Sequence, residues 1–115
     1  MADCLFCKMV AGEIPVTPIK RSPDAIAIRD INPQAPTHAL VIPTRHYAAV
    51  RDAGDGEGER VLGALLVFAA ALATELGLDA GGYRIVTNTG RDGGQSVDHL
   101  HLHLLGGRKM GWPPG

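Results

Sequence analysis

Val97-Asp98-His99-Leu100-His101-Leu102-His103-Leu104-Leu105 alternates histidine with leucine, and this run decides how the chain is read. Strict alternation is the period of a β-strand, so Leu100, Leu102 and Leu104 are expected in a core and His99, His101 and His103 on the opposite face. Same-face side chains lie about 7 Å apart along a strand, so the three imidazoles would span roughly 13 Å. A zinc ion holds imidazole nitrogens at about 2 Å, so one ion could take two of these rings but not easily all three. An extended ligand lying along the strand accounts for all three more naturally. Neutral imidazole can attack phosphorus, exchange protons near pH 7 and donate to phosphate oxygens, so a phosphate-bearing ligand suits the surface. The plain alternative is a polar strand face in solvent.

Upstream, Gly90-Arg91-Asp92-Gly93-Gly94-Gln95-Ser96 reads as a glycine-rich loop whose backbone N–H groups could cradle phosphate. Tyr83 to Thr89 reads as a strand after the Gly81-Gly82 break. Glu59 to Leu76 is the long helix, preceded by an acidic, glycine-rich loop, Gly54 to Gly58. On it Val61, Leu65, Phe68, Leu72 and Leu76 form one apolar stripe and Leu62, Leu66, Ala69 and Ala73 a second. That arc is wider than one sheet face needs, which points to a second subunit. Toward the N-terminus, Ala39 to Ile42 and Ala25 to Asp30 read as strands bounded by proline turns, and Asp3 to Ala11 as a short helix stopped by Gly12 and Pro15. Strands around one long helix imply an α+β fold with an antiparallel sheet, a single domain over 1–115.

The bulk composition narrows the function classes. Hydrophobic residues make up 45% and charged residues 20%, and the formal net charge is −1. A dedicated nucleic-acid binder would be strongly basic. The most apolar stretch, Val61 to Leu76, is interrupted by Gly63, Thr74 and Glu75 and is too short to span a bilayer. No basic segment followed by an apolar one opens the chain, so the expectation is a cytoplasmic protein with reduced thiols. Its two cysteines, Cys4 and Cys7, then suggest metal or redox chemistry more than a disulfide.

The run His99-Leu-His-Leu-His-Leu-Leu105 resembles the signature of the histidine triad (HIT) superfamily. So does the central segment Arg29-Asp-Ile-Asn-Pro-Gln-Ala-Pro-Thr-His-Ala-Leu-Val-Ile-Pro43. Gly93-Gly-Gln-Ser-Val97 and Gly106-Gly-Arg-Lys-Met-Gly-Trp-Pro-Pro-Gly115 resemble the nucleotide-binding branch in particular. The resemblance runs from Cys4 to Gly115 and is weakest between Val50 and Glu59. It implies a homodimer sharing one antiparallel sheet and hydrolysis of purine nucleoside 5′-phosphoramidates, with His101 as the nucleophile that carries the nucleotide. The physics agrees with that choice: a neutral ring whose far N–H is held by a backbone carbonyl presents its other nitrogen. By the same resemblance His103 and Ser96 contact the phosphate or the leaving group, and Asp30 the ribose hydroxyls. Ile31, Ile28, Leu5, Phe6 and Met9 form the base pocket. Asn88, Gly94 and Gln95 complete the nucleotide-facing positions, and His38 supports the triad. Without the resemblance, Leu5, Phe6, Met9 and Ile28 would read as ordinary core and Asp30 as a turn residue.

Some bacterial members of the superfamily hold a structural zinc through an N-terminal cysteine pair, a histidine after the central strand and the first triad histidine. The matching positions are Cys4, Cys7, His46 and His99, a closed Cys2His2 set. The alternative is free, buried thiols. Two departures stand out: Asp98, where close relatives usually carry an aromatic residue, and Ile28, where the base pocket often has one. The competing functions are hydrolysis of dinucleoside polyphosphates by the same triad and a non-catalytic nucleotide- or protein-binding dimer.

Overall fold

The computed structural model describes residues 3–115. Its framework is a five-stranded antiparallel sheet in the order β1-β2-β3-β5-β4. The strands are β1 (Lys20–Arg21), β2 (Ala25–Arg29), β3 (Thr37–Pro43), β4 (Tyr83–Val86) and β5 (Leu102–Gly106). In the centre Leu40 pairs with both Ile28 and His103, and Val41 with Leu102. The antiparallel α+β expectation therefore holds. The two-residue β1 was not expected, because its edge pairing leaves no periodicity in the sequence.

The two faces of the sheet carry different cores. One face presents Ala25, Ala27, Ala39, Val41, Leu102 and Leu104, and the long helix α2 (Gly56–Glu75) covers it with Val61, Leu65, Phe68, Ala69, Leu72 and Ala73. Small side chains on the strands let the helix axis approach closely, so large helix side chains fill the gap. The other face presents Ile26, Ile28, Leu40 and Ile42 to Phe6 of the short helix α1 (Leu5–Val10). The histidine-bearing face is thus a second core and not a solvated surface.

Several boundaries differ from the sequence reading. Helix α2 starts three residues earlier than expected, inside the glycine-rich stretch, because the Asp55 side chain caps it by accepting from the Gly58 N–H. Gly90–Gly93 is a short helix, α3, where a loop was expected; Gly94 closes it with φ +80°. Strand β4 ends at Val86 instead of Thr89. Arg60 then ties α2 to the turn before β2, donating from both terminal nitrogens to Asp24 at 3.0 Å. Not all of the wide apolar arc on α2 is used. Leu66 and Val67 remain exposed, at 51% and 71%. No helix among the described residues is long and apolar enough to cross a membrane.

Two glycines of α2 should respond oppositely to alanine. A Cβ at Gly58 would fall against the Ala53 backbone, within 2.7 Å of its Cα, whereas at Gly63 it meets nothing within 4 Å. Urea unfolding should show Gly58→Ala destabilised by about 1–3 kcal/mol or more. Gly63→Ala should be stabilised by roughly 0.5–1 kcal/mol.

Candidate active site and metal centre

The histidine run enters strand β5 only at Leu102, so the expected row of three imidazoles on one regular strand is corrected. Strand β3 ends at Pro43, which has no N–H to extend the ladder. The preceding residues bond elsewhere. Leu100 N–H donates to the Tyr47 carbonyl at 2.7 Å, and the Thr87 hydroxyl donates to the His101 carbonyl at 3.0 Å. His99 Nε2 donates to the Pro43 carbonyl at 3.0 Å. Outside the ladder, the His99 ring parts from the other two, while His103 stays in β5 opposite Leu40.

His101 and His103 stay together, with ring centroids 5.0 Å apart. They line a cavity of about 240 Å³ with Leu5, Phe6, Met9, Ile28, Asp30, Ile31 and Ser96, all named from the sequence, and with Arg29, Leu40 and Val97, which were not. Leu40 was visible in principle, since it stands directly across from His103 in the ladder. Asn88, Gly94 and Gln95 do not line this cavity. Gln95 instead braces the loop: its side chain accepts from Gly90 N–H at 3.0 Å and donates to the carbonyls of Ala48 and Val97, at 2.6 and 3.0 Å. Gly94 caps α3, and a Cβ at Gly93 would lie 3.9 Å from the Asn88 backbone. A second cavity, of about 530 Å³, shares Leu5, Ser96 and Val97 with the first and adds Asp3, Cys4, His46, Ala48 and Asp98.

Hydrogen bonds fix the proton on each active-site ring. His101 Nδ1 donates to the His99 carbonyl at 2.7 Å, leaving Nε2 with a free lone pair. The Gln34 backbone N–H donates to His38 Nδ1 at 3.0 Å, so His38 carries its proton on Nε2. That proton is donated to His103 Nδ1 at 2.9 Å, which places the His103 proton on Nε2. Two neighbouring rings therefore offer a lone pair and an N–H donor. Asp30 Oδ2 lies 3.3 Å from His38 Nε2, while Asp30 Oδ1 accepts from Asn32 N–H at 2.8 Å. Although Asp30, His38 and His103 lie close enough for a metal, His38 presents a proton there and not a lone pair.

His99 turns away from the cavity. It is fully buried, and its Nδ1 lies 3.0 Å from His46 Nδ1, 3.2 Å from Cys4 Sγ and 3.5 Å from Cys7 Sγ. Cys7 Sγ is 3.3 Å from His46 Nδ1. Because His99 Nε2 donates to Pro43, its Nδ1 carries a lone pair aimed at three other donor atoms. All four atoms lie within 4.8 Å of one another. A tetrahedral cation with zinc-type bond lengths of about 2.0–2.3 Å satisfies such a set. Burial, reinforced by nearby His46 and His101, pushes His99 down to about 4, so the ring is neutral at pH 7. Burial, with help from Cys4, pushes the Cys7 thiol up, and a bound cation would oppose that.

Comparison with known proteins places the chain. A model of the HIT domain matches residues 11–110, and the chain belongs to this family. It is 43% identical over 109 residues to a purine nucleoside phosphoramidase of Escherichia coli K12, covering 95% of this chain and 91% of that protein. It is 46% identical to a 14 kDa zinc-binding protein of Zea mays, covering 96% and 87%. A HIT family hydrolase from Legionella pneumophila superposes with a TM-score of 0.93 at 50% identity, over 98% of this chain and all of that one. The family assignment makes the chain a HIT-type hydrolase.

Burial, then His101 and His38 in turn, hold the His103 ring below the ordinary imidazole range, while Asp30 works against them. A proton-NMR titration should give His103 a midpoint under about 6.5. A midpoint above that would mean the Asp30 carboxylate outweighs burial.

Proposed function

We propose that the chain hydrolyses purine nucleoside 5′-phosphoramidates through a nucleotidyl-histidine on His101. The observation that carries the reading is the pair of fixed tautomers, a lone pair on His101 Nε2 beside an N–H donor on His103 Nε2, at the wall of an apolar cavity. The E. coli relative named for this activity supports the substrate class.

In this reading Leu5, Phe6, Met9, Ile28 and Ile31 enclose the base, and Asp30 accepts from the ribose hydroxyls. His103 donates to a phosphoryl oxygen. The His101 Nε2 lone pair forms a bond to the α-phosphorus as the phosphorus–nitrogen bond breaks, its electrons leaving with the amine. The departing nitrogen takes a proton, for which the Ser96 hydroxyl, at the junction of both cavities, is the donor; the larger cavity gives the amine room. The nucleotidyl ring is cationic, and the His99 carbonyl steadies that charge by accepting from its Nδ1–H. Water then attacks phosphorus, the bond to Nε2 breaks and returns its electrons to the ring, one proton of the water restores Ser96, and the other leaves with the phosphate or to solvent. His38 orients His103. Asn88, Gly94 and Gln95 act through the shape of the loop that presents Ser96.

The metal assigned to Cys4, Cys7, His46 and His99 is zinc, since two thiolates and two imidazoles suit this borderline-soft ion. It would supply structure and not chemistry. The molecule is read as a single HIT domain working as a cytoplasmic homodimer. The exposed Leu66 and Val67 and the open edge of β4 are the surfaces that would join two sheets.

Hydrolysis of a fluorogenic adenosine 5′-phosphoramidate should fall about 10³-fold or more in His101→Ala, with circular dichroism showing both proteins folded. Faster cleavage of a diadenosine polyphosphate would move the assignment to that branch. AMP binding without any turnover would leave a binding protein. Elemental analysis should find about one zinc per chain. Sedimentation at micromolar concentration should give a dimer, and monomer alone would remove the shared sheet.

A further inference from the structure

We infer that the Cys4, Cys7, His46 and His99 cluster positions the nucleophile and shapes the base pocket, so that metal and nucleotide sense one another's presence. The inference rests on the reading of His101 as nucleophile and of the apolar cavity as the nucleotide site. Two contacts carry it.

The first runs through His99. Its ring lies in the metal cluster, while its main-chain oxygen holds His101 Nδ1–H at 2.7 Å. A residue clamped at its ring has little freedom to move its own carbonyl. Without a cation the clamp on the ring falls to hydrogen bonds among these four atoms, such as the one between His46 Nδ1 and His99 Nδ1 at 3.0 Å, and a looser ring leaves the backbone that orients His101 freer to move. The second contact runs through Phe6, which lies between the two cysteines in sequence. Its ring meets the His99 ring edge-on at 5.8 Å and the His101 ring edge-on at 5.0 Å. Helix α1 has only six residues, far below the length that is stable alone. Cys4 caps it by accepting from Cys7 N–H at 3.3 Å, and the same two sulfurs belong to the metal set. Leu5, Phe6 and Met9, all on this helix, line the nucleotide cavity. Cys4, Cys7 and His46 are therefore positioning residues, acting through His99 and Phe6.

Coupling of this kind is reciprocal, which makes it testable from the metal side. The protein would be loaded with cobalt(II), whose visible bands report a Cys2His2 environment, and titrated with AMP. Saturating AMP is expected to shift those bands and to slow cobalt loss to a chelator by about fivefold or more. AMP that binds yet leaves both the spectrum and the release rate unchanged would overturn the inference while leaving the hydrolase reading intact. Failure of AMP to bind would instead overturn the nucleotide reading on which the inference rests.

A second measurement needs no nucleotide. In folded protein, metal removal should shift or broaden the NMR signal of the hydrogen-bonded His101 Nδ1–H. His46→Cys, which retains four metal ligands, should preserve that signal, and His46→Ala should not. An unchanged His101 signal in metal-free, folded protein would reduce the cluster to a clip for the N-terminal helix.

Discussion

The arrangement of the site depends on Pro43, the residue at which the central strand runs out of donors. Proline has no N–H to donate, so the ladder toward the histidine run ends here, although on its other side Pro43 still stands in register with Ala25. The histidine run leaves β5 at this point, and its polar groups are taken up one by one: Leu100 by Tyr47, His101 by Thr87 and the His99 ring by the carbonyl of Pro43 itself. A regular strand would have displayed three equivalent imidazoles about 7 Å apart. The broken one gives each ring a separate environment. His99 enters a nest of sulfur and nitrogen, His101 hangs from its neighbour's carbonyl, and His103 remains on the sheet opposite Leu40.

Burial then decides protonation. With apolar layers on both sides of the sheet, His99 and His103 sit where a charge is costly. Backbone groups supply the alternative to charge, because each neutral ring has its donor nitrogen paired with an acceptor or its acceptor nitrogen paired with a donor. Gln34 N–H, His38 and His103 form such a relay, and its direction is set entirely by a main-chain amide. No side-chain pattern announces that amide, so Gln34 could not be read from the sequence.

Other features were legible in proportion to how far they rest on side-chain pattern. The apolar stripe from Val61 to Leu72 found its core, and the cavity lining from Leu5 to His103 follows the residues quoted for the family resemblance. Residues whose roles depend on backbone geometry were harder. Gly56 and Gly58 look like loop residues, yet Asp55 caps a helix through them because Gly58 alone can lie against Ala53. Gln95 looks like a ligand for phosphate, yet its amide is spent on the carbonyls of Ala48 and Val97. The split of the triad was hidden for the same reason: alternation of leucine and histidine reports a strand, and a single proline on another strand ends it.

A chain of this size has little core to spare, and the organisation of the N-terminal helix reflects that. Helix α1 contributes one buried side chain, Phe6, to the face it covers. Dispersion against Phe6, with Met9 and Val10 partly buried beside it, is a modest anchor for an element that also forms a wall of the cavity. Two thiols beside that helix, set against two histidines from the strand region, would with a cation bound add a second anchor whose strength does not scale with buried area. The fold would then gain rigidity where the sheet cannot provide it. It would do so through His99, a residue next but one to His101, so the anchoring of the helix and the orientation of the proposed nucleophile share a single peptide.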